Sequence, residues 1–238
     1  MPAAAVWSNV AHLYSEVLIN DVLADLIEIQ RRILDNPDRV LADLQELAIK
    51  KDDQAGFVIL RQQYNEHPTP ERLFMLMLTC TNNMLRFNKS LKFNQTFGRR
   101  TINDNSIRKL RTWSAALQEF RPKLRFSSVQ FDQIECGEGD FVYLDPPYSN
   151  SQAGYNAFWE DGDDERLYNY VCKIDAAGAK FCLSGFESHD GQTCQLLMLL
   201  KQKGYVRTAI ESSYKKVSRK GAKITREIVL TNYQPAGI

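Results

Sequence analysis

One short segment of the chain has residue types suited to holding an amino group, the run Gly139-Asp140-Phe141-Val142-Tyr143-Leu144-Asp145-Pro146-Pro147-Tyr148. An apolar stretch that predicts a strand ends there at a carboxylate, two prolines and a tyrosine. The fixed φ of each proline, and its restriction of the residue before it, make this backbone stiff. Ligands of parallel sheets bind beyond the carboxyl ends of the strands. The Asp145 carboxylate and the Pro146 carbonyl therefore offer two acceptors for an exocyclic NH2 group, with Tyr148 available to stack on its ring.

Two other interpretations of this segment are open from the residues alone. Asp145 to Tyr148 would also suit an ordinary turn at the end of a strand. A nucleotide hydrolase can end a strand in an aspartate that reaches Mg²⁺, but it requires a phosphate loop of the GxxxxGK[ST] type. No such loop occurs in this sequence. The amino-binding interpretation is favoured over both.

A second carboxylate, Asp21, follows the short apolar run Glu16 to Asn20 and precedes a helical pattern. A carboxylate at the end of a strand can accept hydrogen bonds from both hydroxyls of a ribose. The same residue type is also common in the first turn of a helix, where it interacts favourably with the helix dipole. The residues alone leave both roles open.

The charge distribution is uneven although the formal net charge is only +1. From Arg86 to Arg125 the acids are Asp104 and Glu119, and Asn, Phe and Gly interleave the bases. Such a segment is suited to contact phosphates, or it forms a solvated basic face. The basic residues are Arg86, Lys89, Lys92, Arg99, Arg100, Arg108, Lys109, Arg111, Arg121, Lys123 and Arg125.

The elements that would position these residues follow from apolar spacing. Alternation of strands and helices in the second half predicts an α/β fold with a largely parallel sheet. The last two strands, joined by a basic loop, are expected to form an antiparallel hairpin at the edge of the sheet. In the first half, Thr81 to Asn105 is expected to be a loop or irregular hairpin. The predicted strands are Glu16 to Asn20, Leu124 to Val129, Asp140 to Leu144, Lys180 to Leu183, Tyr205 to Glu211 and Ile224 to Thr231. The predicted helices are Val22 to Leu34, Pro37 to Lys50, Asp53 to Glu66, Pro70 to Cys80, Ser106 to Phe120, Asp164 to Asp175 and Gly191 to Lys203.

Composition excludes several classes of protein. The chain has 238 residues, 44% of them hydrophobic, which is enough to bury a full core. Its apolar stretches are too short to cross a bilayer, and no signal peptide is recognisable, so we expect a cytoplasmic protein without a membrane partner. The cysteines have no CxxC pair or histidine cluster, which predicts reduced thiols and no metal site.

At these motifs the sequence resembles the DNA adenine methylase family, in particular the phage branch of the Dam-type enzymes. The similarity extends from about Val17 to Tyr233 and includes several motifs in the family's order. Beyond Asp145 to Tyr148 they are Leu18-Ile19-Asn20-Asp21, Asn82-Asn83-Met84-Leu85-Arg86-Phe87-Asn88, Thr96-Phe97-Gly98-Arg99-Arg100-Thr101-Ile102-Asn103, Tyr155-Asn156-Ala157-Phe158-Trp159 and Arg226-Glu227-Ile228-Val229.

The resemblance implies methyl transfer from S-adenosylmethionine to adenine N6 in duplex DNA, usually within GATC, after the base is flipped from the stack. It implies a Rossmann-like methyltransferase fold with a mostly parallel sheet and an inserted helical target-recognition domain. The catalytic domain would comprise residues 1–51 and 123–238, and the recognition domain residues 52–122 with a DNA-reading hairpin at 82–103.

The resemblance also assigns individual residues. Asp145, Pro146, Pro147 and Tyr148 would be catalytic, and Asp21 and Asp145 would bind the cofactor. Asn82, Met84, Arg86, Thr96, Arg99 and Arg100 would contact DNA. Among these, Arg86 would read guanine O6 and N7, Arg99 would hold a phosphate, and Thr96 stands where relatives commonly have proline. Contact of Phe126, Ser127 and Ser128 with the cofactor's adenine ring is an alternative, but we expect these residues to lie in the sheet core.

The sequence departs from the family at its first residues. A strand and a glycine-rich loop normally contact the cofactor there, but in register with the later motifs the glycine pair falls on Pro2 and Ala3. Glycines allow the backbone to approach a ligand closely. An alternative function is therefore a catalytically impaired relative that binds DNA and masks or regulates methylation sites. A third hypothesis is a methyltransferase acting on free adenine or RNA.

Overall fold

The computed structural model describes residues 2–147, 157–189, 192–210, 217–218, 221–222 and 225–235, which form both helices and strands. The helices are α1 (Pro2–Val10), α2 (Ala24–Asp35), α3 (Pro37–Glu46), α4 (Gln54–Glu66), α5 (Pro70–Thr79), α6 (Asp104–Phe120), α7 (Asp163–Ala176) and α8 (Gln195–Gln202). The strands are β1 (Val17–Asn20), β2 (Leu124–Ser127), β3 (Phe141–Leu144), β4 (Lys180–His189), β5 (Gln192–Thr193), β6 (Val206–Ile210), β7 (Val217–Ser218), β8 (Gly221–Ala222) and β9 (Thr225–Thr231). The α/β class is confirmed.

The chain divides into two compact units, Met1–Phe131 and Asp132–Ile238. The domain boundaries predicted after residues 51 and 122 stay predictions. Both fall inside the first unit, where α4 and α5 pack together and α5 also packs on α2 and α3.

The first unit is a parallel strand pair covered by helices. Strands β1 and β2 pair in parallel, with Val17 opposite Leu124 and Asn20 opposite Ser127. Helix α2 packs on β2 and on α3, α5 and α6. The buried apolar side chains of this unit include Ile27, Ile29, Ile33, Leu44, Phe57, Leu60, Leu73, Met75, Leu76 and Leu117.

Four helices of this unit begin at side chains that accept a backbone N–H. Asn36 caps α3 (3.0 Å from Arg39 N) and Asn103 caps α6 (3.0 Å from Ser106 N). Asp53 caps α4 and Thr69 caps α5. Such caps satisfy N–H groups that have no partner inside the helix, and they fix where each helix starts.

The first residues of the chain form helix α1 rather than a strand followed by a glycine-rich loop. Trp7 is buried and meets Phe120 at the end of α6 edge to face, with ring centroids 6.4 Å apart. Lys123 Nζ donates to the carbonyl oxygens of Ala11 (3.3 Å) and Tyr14 (2.7 Å). The helix is thus attached to the segment that leads into β2.

The second unit contains a mixed sheet in the order β3-β4-β9-β6. Strands β3 and β4 are parallel, whereas β9 runs antiparallel to both β4 and β6. The antiparallel pairing predicted for the last two long strands is confirmed, with Val206 opposite Thr231. Helices α7 and α8 pack on β4 and on each other, and they bury Leu167, Val171, Ile174, Leu197 and Leu200.

No helix among the described residues is long and apolar enough to span a membrane. All of the cysteines are free thiols. Burial raises the pKa of the Cys80 thiol to about 11, which keeps it protonated at neutral pH.

Candidate functional sites

The predicted amino-binding segment lies at the carboxyl end of β3. Leu144, the last residue of this strand, is paired with Leu183 of β4, and Asp145 follows as an exposed side chain. Pro146 and Pro147 are half-buried beside Gly185 of β4. A carboxylate and a stiff proline backbone therefore extend beyond the end of a parallel strand pair. The predicted stacking residue, Tyr148, lies outside the described residues.

A serine missed by sequence reasoning contacts the Asp145 carboxylate. Ser184 of β4 is 4% exposed, and its Oγ lies 2.8 Å from Asp145 Oδ1 and 3.3 Å from the Leu144 carbonyl oxygen. The parallel register brings it there, because Ser184 directly follows the residue paired with Leu144. No local motif marks this serine, so only the strand register could have identified it.

The described part of the aromatic motif after the prolines is tied to the start of α7. Trp159 Nε1 donates to Asp164 Oδ1 at 2.9 Å. Arg166 contacts both Asp132 and the buried Asp163, with its Nη1 2.7 Å from Asp163 Oδ1. Tyr155 and Asn156 lie outside the described residues. The structure thus gives Trp159 an anchoring role at the start of α7.

Asp21 directly follows β1, as predicted, and occupies a turn before α2. Its Oδ1 accepts the Leu23 backbone N–H at 2.8 Å, and its backbone carbonyl accepts the Ser128 hydroxyl at 3.0 Å. Burial raises the pKa of Asp21, while the Leu23 N–H partly offsets that effect. The Leu23 N–H fixes the Asp21 side chain at the strand end, and the Ser128 hydroxyl fixes its backbone. A fixed carboxylate there fits the hydroxyls of a ribose.

The loop after β2 completes this strand end. Asn20 Oδ1 accepts the Ser127 hydroxyl (2.7 Å) and the Val129 N–H (3.1 Å), and Asn20 Nδ2 donates to the Val129 carbonyl (3.0 Å). Phe126 and Ser127 are half-buried and Ser128 is exposed. The expectation that Phe126, Ser127 and Ser128 lie in the core is therefore wrong. Leu124, at the start of β2, is buried. The later residues of the strand are less buried because they lead into a polar loop.

The segment predicted as a loop or irregular hairpin is a hairpin. Isolated bridges pair Cys80 with Phe97 and Phe87 with Phe93, and α6 begins at Asp104. The Thr81 N–H donates to the Thr96 carbonyl at 2.9 Å. We call residues 80–98 the recognition hairpin, a name that refers only to the DNA-reading role predicted for residues 82–103.

Two buried phenylalanines attach the recognition hairpin to α4, and a third packs against one of them. Phe97 stacks on Phe57 with centroids 5.0 Å apart, and Phe93 meets Tyr64 at 6.3 Å and Phe87 at 5.6 Å, both edge to face. Aromatic pairs of this kind add to the stabilisation from buried area. The aromatic side chains of the hairpin therefore hold its irregular backbone against α4.

Polar contacts from α4 hold the returning half of the recognition hairpin. Asn65 Nδ2 donates to the Phe93 carbonyl at 3.0 Å, and the Phe93 N–H donates to Asn65 Oδ1 at 2.7 Å. The Asn65 side-chain amide thus makes the pair of hydrogen bonds to the Phe93 backbone that a neighbouring strand would make in a sheet. Arg61, one helical turn earlier, donates to the Gln95 carbonyl at 3.4 Å, and Lys92 Nζ donates to the Asn65 carbonyl.

Most of the predicted DNA-contacting residues have exposed side chains on the recognition hairpin or just after it. Met84 is half-buried, while Asn82, Arg86, Thr96, Arg99 and Arg100 are exposed. Asn82 and Arg99 have positive φ values, 59° and 53°. Thr96 Oγ1 lies 2.8 Å from Thr81 Oγ1, so this hydroxyl has a partner inside the hairpin.

The three arginines differ in their contacts. Arg100 donates to Asn83 Oδ1, and Asn83 in turn donates to the carbonyls of Met77 (2.9 Å) and Leu78 (3.0 Å) at the end of α5. The guanidinium groups of Arg86 and Arg99 form no ion pair or hydrogen bond with the part of the chain that the structure describes. Arg86 and Arg99 thus have guanidinium groups available for a ligand, whereas that of Arg100 supports the hairpin base.

The comparisons with known proteins agree with this arrangement. The family profile of the D12 class N6 adenine-specific DNA methyltransferases matches residues 3–218. The chain belongs to this family, and its α/β fold with an Asp-Pro-Pro-Tyr segment after a parallel strand is consistent with a methyltransferase fold.

Relatives of the chain include the modification methylase LlaI of Lactococcus lactis subsp. lactis, 28% identical over 92% of this chain and 36% of the relative. The modification methylase StsI of Streptococcus sanguinis is 29% identical over 80% of this chain and 31% of the relative. A DNA N-6-adenine-methyltransferase of Escherichia phage P1 is 24% identical over 76% of this chain and 25% of its own length. The chain therefore spans about a third, or less, of each relative.

Proposed function

We propose that this chain transfers a methyl group from S-adenosylmethionine to N6 of adenine in duplex DNA, within GATC. One observation carries the proposal: the Asp145 carboxylate extends from the end of β3, beside two prolines, with one oxygen held 2.8 Å from a buried hydroxyl of β4. Family membership supports it.

The chemistry assigned to Asp145 and Pro146 follows from the weakness of an aromatic amine as a nucleophile. The nitrogen lone pair of adenine N6 is conjugated with the ring. Hydrogen bonds from both of its protons, one to Asp145 and one to the Pro146 carbonyl, favour a pyramidal nitrogen whose lone pair can attack in line. The protein contributes position and electrostatics rather than a covalent intermediate. Tyr148 is assigned to the face of the flipped base.

Two carboxylates are assigned separately as cofactor contacts, each within its own unit. Asp21, fixed by the Leu23 N–H at the end of β1, is suited to the ribose hydroxyls. Asp145 would contact the cofactor as well as the amino group. The sulfonium of S-adenosylmethionine supplies an activated methyl group when it is bound. Helix α1 contains no glycine, so it cannot provide a backbone cradle of the glycine type.

The recognition hairpin is proposed to read the DNA sequence. Arg86 would form a bidentate contact with guanine O6 and N7, and Arg99 would contact a phosphate. Asn82, Met84 and Thr96 would lie against bases near the flipped site. Arg100 would add phosphate contact from the hairpin base. In this proposal residues 52–122 are the recognition part, with the reading segment at 82–103, and residues 1–51 and 123–238 are the catalytic part.

The direct test is transfer of a labelled methyl group from S-adenosylmethionine to a GATC duplex. We expect Asp145→Ala to lower the transfer rate by about 100-fold or more while DNA binding is retained, because a preorganised acceptor at the reacting group is lost. Asp161→Ala, which removes an exposed carboxylate of the same unit, is the control and should not change the rate. Normal transfer by Asp145→Ala would refute the assignment of Asp145 to the amino group. Methylation of RNA or free adenine without a preference for duplex DNA would refute duplex DNA as the substrate.

Helix α1 favours a second candidate, a DNA-binding relative that masks or regulates methylation sites without turnover. It forms where the resemblance places a glycine loop. Calorimetry with S-adenosylhomocysteine separates the two candidates. Micromolar binding that is lost in Asp21→Ala supports the enzyme, whereas selective GATC binding without any S-adenosylhomocysteine affinity supports the masking protein.

A further inference from the structure

The contacts of Ser184 differ from those of an ordinary buried hydroxyl. Its Oγ faces two acceptors, the Leu144 carbonyl oxygen at 3.3 Å and Asp145 Oδ1 at 2.8 Å. A serine hydroxyl has one hydrogen to donate. The hydrogen bond to the carboxylate is the shorter one, and hydrogen bonds to a charged acceptor are about twice as strong as neutral ones. The hydroxyl is therefore assigned as a donor to Asp145.

A second hydroxyl is directed at Ser184 from β3. Tyr143 OH lies 3.4 Å from Ser184 Oγ. Burial raises the pKa of Tyr143, so its hydroxyl stays protonated and can donate. The resulting order of donation is Tyr143 to Ser184 to Asp145, across paired strands.

The environment of Ser184 is rigid. It is 4% exposed and sits in the middle of β4, which is paired with β3 on one side and β9 on the other. Asp145 lies just beyond the last paired residue of β3 and is exposed. A side chain in that position gains a defined rotamer mainly through a contact with a rigid neighbour, and Ser184 provides one.

We propose that Ser184 is a positioning residue for methyl transfer, which holds the Asp145 carboxylate in the orientation that receives the amino group. The inference rests on the proposed function, because it assumes that Asp145 binds that group. Ser184 acts through Asp145 and is not itself a catalytic residue. Tyr143 in turn orients the Ser184 hydroxyl.

The test is a set of substitutions at Ser184 that separates the hydroxyl from side-chain volume. Ser184→Ala removes the hydroxyl. Ser184→Thr and Ser184→Val add the same bulk, are both β-branched and thus suited to a strand, and differ in the hydroxyl. Thr231→Val is the control, since it removes another buried hydroxyl of this sheet, which donates to the Tyr233 carbonyl at 2.7 Å.

We expect Ser184→Ala and Ser184→Val to lower the single-turnover rate of methyl transfer by about tenfold or more. Affinity for the GATC duplex should stay within about twofold of wild type, because a positioning role acts on the chemical step. Ser184→Thr should recover much of the rate lost in Ser184→Val. Tyr143→Phe should lower the rate less than Ser184→Ala does, and Thr231→Val should leave it unchanged.

Several results would overturn the inference. They are wild-type transfer by Ser184→Ala, equal rates for the threonine and valine variants, or a loss of rate matched by a fall in thermal melting temperature. If Asp145→Ala abolishes transfer while Ser184→Ala does not, the positioning role alone fails. If the wild-type chain transfers no methyl group and Asp145→Ala changes nothing, the proposed function fails first and the positioning role fails with it.

Discussion

The recognition hairpin and the Asp145 segment are both irregular backbone, but different contacts hold them. The hairpin is fixed by side chains that are distant in sequence, namely Phe57, Tyr64 and Asn65 of α4. The Asp145 segment is fixed largely by its own covalent geometry and by the strand beside it, with Ser184 as its polar contact from β4. Rigidity of the hairpin is therefore a property of tertiary packing, whereas most of the stiffness at Asp145 is local.

This comparison predicts that recognition depends on the packing and exposed side chains of the hairpin. Three substitutions test this dependence, in decreasing order of the expected effect on recognition.

The largest effect is expected from Gly98→Ala at the hairpin base. A Cβ built on Gly98 would lie 2.5 Å from the Cys80 carbonyl oxygen and 2.7 Å from its carbon. Since these atoms are backbone, the chain must shift, and we expect a loss of about 1–3 kcal/mol of unfolding free energy. Discrimination between GATC and a guanine-substituted site should fall as well. Chemical denaturation and binding titrations measure the two effects.

Gly137→Ala is the control for Gly98→Ala. A Cβ built on Gly137 would lie 3.9 Å from the Ala177 carbonyl oxygen, which is an ordinary van der Waals distance. If Gly98→Ala leaves stability and discrimination unchanged, the hairpin base is not the constraint inferred here.

Arg86→Ala should change recognition and leave stability unaltered, because its guanidinium forms no ion pair or hydrogen bond with the described residues. Losing a bidentate contact to guanine should cost about 1–3 kcal/mol of discrimination against a guanine-substituted duplex. The measurement is the affinity ratio of the two duplexes across a salt series.

Arg99→Ala is the companion variant for Arg86→Ala. It should weaken binding to both duplexes alike, and it should lower the slope of log affinity against log salt by about one. Undiminished guanine discrimination in Arg86→Ala would show that Arg86 is part of a solvated basic face instead.

Asn65→Ala should produce the smallest effect of the three on recognition. It removes two hydrogen bonds to the Phe93 backbone, each worth about 0.5–1.5 kcal/mol to stability. Discrimination should fall with little change in affinity for non-cognate DNA. Gln62→Ala, on the same helix and bonded only to Glu66 among the described residues, is the control. Equal behaviour of the two variants would refute the role of Asn65 in holding the hairpin.

The sequence predicted most helices and strands within a few residues, because periodicity and caps act locally. Asn36, Asp53, Thr69 and Asn103 each begin a helix near its predicted start. The antiparallel edge of the sheet was also predictable from two strands joined by a polar loop. Helix α1 was not predicted, and neither was the extension of β4 to His189.

The sequence by itself determined the Asp-Pro-Pro-Tyr segment, the placement of Asp21 after β1 and the exposed arginines, since each depends on residue type and neighbours along the chain. Tertiary structure decided which residues hold them. Ser184 reaches Asp145 through strand register, and Asn65 reaches Phe93 through packing of α4 under the hairpin. Phe126, Ser127 and Ser128 lie outside the core because the polar loop after β2 leaves them half-buried or exposed. Burial and pairing depend on neighbours in space, which residue types along the chain do not specify.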